Sequence, residues 1–237
     1  MALSRDTGRG LKRMPDVPVV EAMELYRFYH SGDEETFALR GVSLTVQPGQ
    51  TVAVVGPSGS GKSTLLACLA GLDEPDGGYV NIQGRRLTRR SESARARLRS
   101  STIGILMQSG NLLEHLSVED NVRLRIRLAG ATDDANRRVA LLRSVGLDHR
   151  RTAYPARLSG GESARAGLAV ALALTPALLL ADEPTGEVDA DTEKHIMVLL
   201  ERRRKEGAAT ILATHSEALA AWADIVVRLV DGKIARD

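Results

Sequence analysis

The chain has 237 residues, 43% hydrophobic and 26% charged, which is ordinary for a globular protein long enough to bury a real core. Its net charge of +2 makes no demand for a nucleic-acid partner. A single cysteine, Cys68, in the apolar run LLACLAGL, excludes an internal disulfide framework and fits a reducing compartment, with a buried structural thiol as the expected state.

Residues 1–17 are polar and basic and lack an apolar segment, so they read as a disordered tail and not a signal peptide. Strands are expected at 19–29 and 38–47, and Pro48-Gly49 turns the chain into TVAVV at 51–55. A loop from Gly56 to Gly61 then opens a helix, STLLACLAGL. Gly77-Gly78 leads into a short strand, Tyr79–Gln83. These early strands and turns predict an antiparallel edge layer. Later apolar runs at 102–106, 177–181, 210–214 and 224–230 alternate with helical patterns, which predicts a parallel α/β core.

Between 109 and 174 only helix signals stand out. Ser117 starts one helix, and Thr132 starts another that Gly146 ends. The stretch NVRLRIRL, 121–128, alternates like a strand but follows the cap at Ser117. We read it as helix, with Arg123 and Arg127 on one face and Arg125 nearly opposite. The longest apolar run, Ala166 to Ala181, is broken by Thr175-Pro176. It falls short of the roughly 20 residues a membrane helix needs, so the chain is not expected to cross a membrane itself.

Three motifs carry chemistry. GPSGSGKS fits the phosphate-loop pattern between a strand and a helix. Gly56, Pro57, Ser58, Gly59, Ser60 and Gly61 form a loop whose N–H groups can face phosphate oxygens. Lys62 reaches the β- and γ-phosphates, Ser63 offers a hydroxyl to Mg²⁺, and Thr64 adds one near the α-phosphate. ALLLADE, 177–183, is an apolar strand ending in two carboxylates: Asp182 suits Mg²⁺ and Glu183 suits an attacking water. The bland alternative for this pair is two helix-starting acids before Pro184. LSGGESARAGLAVAL, 158–172, begins with a capping box, Ser159 with Glu162, and leaves the amides of Gly160 and Gly161 uncovered at a helix N-terminus. No lysine follows to grip a phosphate there.

Gly56–Thr64, Gln108, Leu158–Glu162, Asp182-Glu183, Asp189 and His215 occur in the order of an ABC-transporter ATPase, and from about residue 19 onward the chain resembles that family. The stretches GLDEPDGG and LLADEPTGEVD, and a long hairpin from Tyr29 to Ala38, look like the subgroup serving lipoprotein release, macrolide efflux and cell division. The resemblance implies a P-loop NTPase core over 18–237, with an antiparallel β edge layer and an inserted helical subdomain at 109–174. It implies ATP and Mg²⁺, with Ser63, Gln108 and Asp182 on the metal and Lys62, Glu183, Gln108 and His215 as catalytic groups. Tyr29 would stack on adenine, with Tyr26 and Phe28 as competitors for that role. Ser159, Gly160, Gly161 and Glu162 would act in trans on a second copy, and Asp189 would communicate between the two.

The same resemblance implies a head-to-tail dimer on an integral membrane permease, which places the chain in the cytoplasm at the inner membrane face. Asn111, Leu112, Leu113 and His115 are the expected permease groove. The alternative is an ABC-type ATPase outside transport; one phosphate loop and no heptad run count against it, and no N-K-x-D motif points to guanine. The arginines between Arg85 and Arg99 form either a lipid-facing patch or a solvated face. The chain departs from the family pattern at Ser163, Ala164, Val170, Val188 and Ser216.

Overall fold

The computed structural model describes residues 17–31, 34–186 and 188–235. Apart from Val17, the expected N-terminal tail lies outside these residues.

The chain starts with β1 (Val20–Ser31) and β2 (Glu34–Val46), an antiparallel pair. With β4 (Gly77–Ile82) and β5 (Arg85–Arg86) they make a sheet of order β2-β1-β4-β5. This is the expected antiparallel layer, though β2 begins before residue 38. Ala22, Leu25, Leu39, Val42, Val80 and Ile82 are buried on its inner side.

A second sheet has the order β10-β9-β3-β8-β7-β6. Its strands are β3 (Thr51–Val55), β6 (Ile103–Leu106), β7 (Leu178–Asp182), β8 (Ala209–Ala213), β9 (Ile225–Val230) and β10 (Lys233–Ile234). All pairings are parallel except β9 with β10. Every residue of β7 and β8 is buried, because layers cover both faces; such strands read as unbroken apolar runs without alternation.

One core cluster fills the space between the sheets with α1 (Lys62–Leu69). It encloses Cys68, whose thiol burial pushes up to about 12. A second cluster lies on the opposite face under α5 (Gly160–Leu172), α6 (Ala190–Lys205) and α7 (Glu217–Trp222). A third joins α3 (Val118–Leu128), α4 (Ala135–Ser144) and α5.

The 121–128 stretch is helical. Ser117 caps it by accepting from the Asp120 N–H, and Val122 and Ile126 enter the third cluster. Its arginines divide as expected: Arg123 pairs with Asp120, while Arg125 donates to the carbonyls of Ser100 and Ile103. The next helix starts slightly later than Thr132, because Asp134 is the residue whose carboxylate caps Asn136 and Arg137. The basic segment contains a helix of its own, α2 (Glu92–Thr102).

Gly104 lets α5 dock on β6. A Cβ there would lie 2.4 Å from the Ala171 carbonyl oxygen and 2.8 Å from the Pro176 ring, too close for either to give cheaply. Gly104→Ala should therefore lower unfolding free energy by roughly 1–3 kcal/mol, read as a lower urea midpoint at unchanged slope.

Candidate functional site

β3, β8, β7 and β6 all run the same way, so their carboxyl ends open on one edge. In register, Val54 faces Ala213, Ala213 faces Asp182, and Ala181 faces Leu106. The segments that follow carry the phosphate loop, His215, Glu183 and Gln108 respectively. This is the crevice where open α/β sheets hold ligands.

Two neighbouring backbones press on the phosphate loop. Gly61 has φ +102°, and a Cβ on it would sit 2.3 Å from the Ala38 carbonyl oxygen. At Gly56 the same test meets the Leu229 carbonyl oxygen at 2.1 Å. Only glycine fits either place. Gly61 caps α1 without a side-chain acceptor, leaving first-turn amides to face an anion. Lys62 is buried, and its Nζ donates to the carbonyls of Gly56 at 2.8 Å and Pro57 at 3.0 Å, which holds the ammonium over the loop.

Asp182 ends β7 almost fully buried, at 7% exposure. The next residue turns sharply. Glu183 has φ +49°, a conformation that costs a non-glycine residue on the order of 1–3 kcal/mol. Its N–H still donates to the Ala213 carbonyl at 2.9 Å. Its carboxylate accepts from the His215 N–H at 3.2 Å and lies 3.4 Å from His215 Nε2. The left-handed turn thus carries Glu183 off the strand line and onto the end of β8.

Oxygen donors suit Mg²⁺, and a buried carboxylate such as Asp182 calls for a cation. Asp182, the Ser63 hydroxyl and the Gln108 amide each offer an oxygen donor of that kind. Among the described residues no group of three or more His, Cys, Asp or Glu could hold a metal.

Gln108 lines a cleft of about 510 Å³ together with Asn111, Gly160, Ser163, Glu183 and His215. Asn111, expected in a partner groove, uses its side-chain amide otherwise: it clamps Met107 through both the N–H, at 2.8 Å, and the carbonyl, at 2.6 Å. It holds the turn that carries Gln108. Leu113 and His115 are exposed. Buried Asn121 fixes their loop by bonding Leu113, Leu116 and Ser117. Sequence reading missed Asn121, although a poor helix former inside a helix is a usable signal.

The capping box of α5 is complete. The Ser159 N–H donates to Glu162 at 2.9 Å, and Ser159 Oγ accepts from the Glu162 N–H at 3.2 Å. Arg150 pairs with Glu162 at 2.9 Å. Asp189 caps α6 by accepting from the N–H groups of Asp191 and Thr192.

Tyr29 donates its hydroxyl to Asp73 at 2.6 Å, and the Arg27 guanidinium lies 4.7 Å from its ring centroid. Burial, then Asp73, raises its phenol pKa, with Thr64 of the phosphate loop acting the other way. The competing aromatics belong to a separate cluster. Phe28 stands edge-on to Phe37 at 4.9 Å and 6.4 Å from Tyr26, with Arg40 over Phe37. In the basic segment, Arg95 and Arg99 are tied to Glu74 and Glu92, and Arg86 covers Tyr79. Arg85, Arg89, Arg90 and Arg97 are exposed.

A phosphate loop, a buried Asp182 and a Glu183–His215 pair at the carboxyl edge of a parallel sheet define a nucleotide-hydrolysing P-loop enzyme. Residues 39–186 match the ABC transporter family profile, and the chain belongs to that family. It is 42% identical over 222 residues to the lipoprotein-releasing system ATP-binding protein LolD of Geobacter metallireducens, covering 92% of this chain and 99% of that one. It is also 41% identical to the macrolide export ATP-binding/permease protein MacB of Chlorobium luteolum, over 94% of this chain but 34% of that longer protein. Among solved structures, the ATP-binding cassette MJ0796, in a dimeric post-hydrolysis state with ADP and Pi, superposes with a TM-score of 0.87 at 31% identity, over 92% of this chain and 97% of that one. The chain is an ATP-binding, ATP-hydrolysing cassette of the transporter type.

The capping box carries a pH signature. The Ser159 N–H, then Arg150, holds the Glu162 carboxyl below its ordinary value of 4.5. A depressed carboxyl pKa contributes stability that is present above the unfolded value and lost as pH falls through the folded one. Amide exchange in the first turn of α5 should therefore speed up, beyond its intrinsic pH dependence, as pH drops below about 4.5. Glu162→Gln should remove that pH dependence.

Proposed function

We propose that two copies of this chain close head to tail around two ATP molecules and thereby drive an integral membrane permease that releases lipoprotein-like cargo from the membrane. The observation that carries the hydrolytic part is the Glu183–His215 pair, set by a strained backbone beside the buried Asp182. The cargo class rests on the end-to-end similarity to a lipoprotein-releasing subunit.

The phosphate-loop amides and Lys62 bind the β- and γ-phosphates. Ser63, Asp182 and Gln108 would hold Mg²⁺, which neutralises charge between those phosphates. Glu183 orients water for in-line attack and takes its proton. His215 and Lys62 stabilise charge developing on the γ-phosphoryl oxygens, and Tyr29 packs on the base. Ser159, Gly160 and Gly161 of the second copy close the site. Their helix supplies amide donors and a positive dipole end, while the lysine comes from the opposite chain. Asp189 lies at the same contact.

No described helix is long and apolar enough to cross a membrane. The turn after Gln108, with Leu112, Leu113 and His115, receives a permease helix. The helical block at 109–174 moves with that turn when ATP is bound. These contacts hold the chain against the inner membrane face.

Glu183→Gln should trap an ATP-bound dimer in size-exclusion chromatography and cut turnover by roughly 100-fold or more; a parental rate would remove the role given to Glu183. Ser159→Arg should abolish turnover and ATP-dependent dimerisation while the separate chain still binds ATP. Loss of ATP binding would instead put Ser159 in its own chain's site.

A further inference from the structure

Two side-chain contacts from different elements grip the first turn of α6, one at Thr192 and one at Glu193. From α5, Arg165 Nη1 donates to Thr192 Oγ1 at 2.7 Å. The same hydroxyl donates onward to Asp189 Oδ2 at 3.0 Å, while Asp189 Oδ1 accepts from the Thr192 N–H at 2.8 Å. Thr192 is buried, at 3% exposure. Gly161 lies flat against this group: a Cβ on it would meet Thr192 Oγ1 at 2.9 Å, Asp189 Oδ2 at 3.4 Å and Arg165 Nη1 at 3.5 Å. Its φ lies outside the left-handed range, so close packing, not backbone conformation, calls for glycine here.

At the neighbouring residue, Ser216 Oγ donates to Glu193 Oε1 at 2.8 Å and accepts from the Leu219 N–H at 3.2 Å. Ser216 directly follows His215, whose N–H donates to Glu183. An ionised aspartate at 216 would have no proton to donate and would set two carboxylates against each other. Serine caps α7 and binds Glu193 at once.

Resting on the dimer reading above, we propose that the first turn of α6 is a clamp held by two elements. It ties the chain's own hydrolytic corner, Glu183 and His215, to α5, whose N-terminus is presented to the second copy. Thr192 and Ser216 are positioning residues: neither touches ATP. Thr192 holds because one hydroxyl accepts from Arg165 and donates to Asp189. Ser159–Gly161 and Asp189 therefore approach the partner as one rigid unit, and a displacement of His215 by its own γ-phosphate is passed to the partner's site through packed, hydrogen-bonded contacts.

The test compares Thr192→Val and Thr192→Ser, each in the full chain carrying Glu183→Gln. Valine keeps the shape and removes the hydroxyl. Thr192→Val should weaken ATP-dependent dimerisation by about tenfold in sedimentation experiments. Monomer ATP affinity should stay at the parental value, the melting temperature should fall by no more than about 2–4 °C, and Thr192→Ser should restore dimerisation. Dimerisation of Thr192→Val as tight as the parent overturns the clamp while leaving the dimer reading intact. Equal loss in valine and serine variants also overturns it, because shape and not the hydroxyl would then matter. If Glu183→Gln alone fails to dimerise with ATP, the dimer reading and the clamp fall together.

Discussion

The site depends on one constraint, the parallel register of β3, β8, β7 and β6. It sets Val54, Ala213 and Asp182 in one row, with Leu106 one residue back against Ala181. Each loop then leaves the sheet at the same edge, so four separate stretches of chain deliver lysine, histidine, carboxylates and glutamine into one crevice. A one-step slip of β7 would turn Asp182 to the other face of the sheet. The burial of all of β7 and β8 opposes such a slip.

Close backbone approaches shape the site. Gly56 and Gly61 bring the loop against carbonyls of β9 and β2 that tolerate no Cβ. Glu183 sits left-handed without being glycine. The hydrogen bonds to Ala213 and His215 give that conformation its support. The consequence is a carboxylate held against the histidine loop instead of projecting from the end of β7.

Much of this was legible in the sequence where the signal is local. The phosphate loop, the apolar run ending at Asp182 and the capping box at Ser159 each lie within a few residues, and local spacing determines their geometry. The Ser117 cap also outweighed the misleading alternation at 121–128, since capping is local too. Other features depend on contacts far apart in the chain and leave no periodic trace. Arg125 reaching the end of α2, and Arg165 reaching Thr192 across 27 positions, are of this kind. Asn111 was visible, but its use in clamping Met107 was not, because either a partner helix or the backbone can take an asparagine amide.

The central claim is that each hydrolytic site is built from two chains, Lys62 and Glu183 from one and Ser159–Gly161 from the other. Mixing two inactive variants, Lys62→Ala and Ser159→Arg, tests it most directly. In a mixed dimer one site carries both lesions and the other carries none. Equal mixing should restore a substantial share of the parental ATP turnover, up to about half, since only mixed dimers carry an intact site and each carries one of two. A mixture as inactive as either variant alone would contradict the shared site.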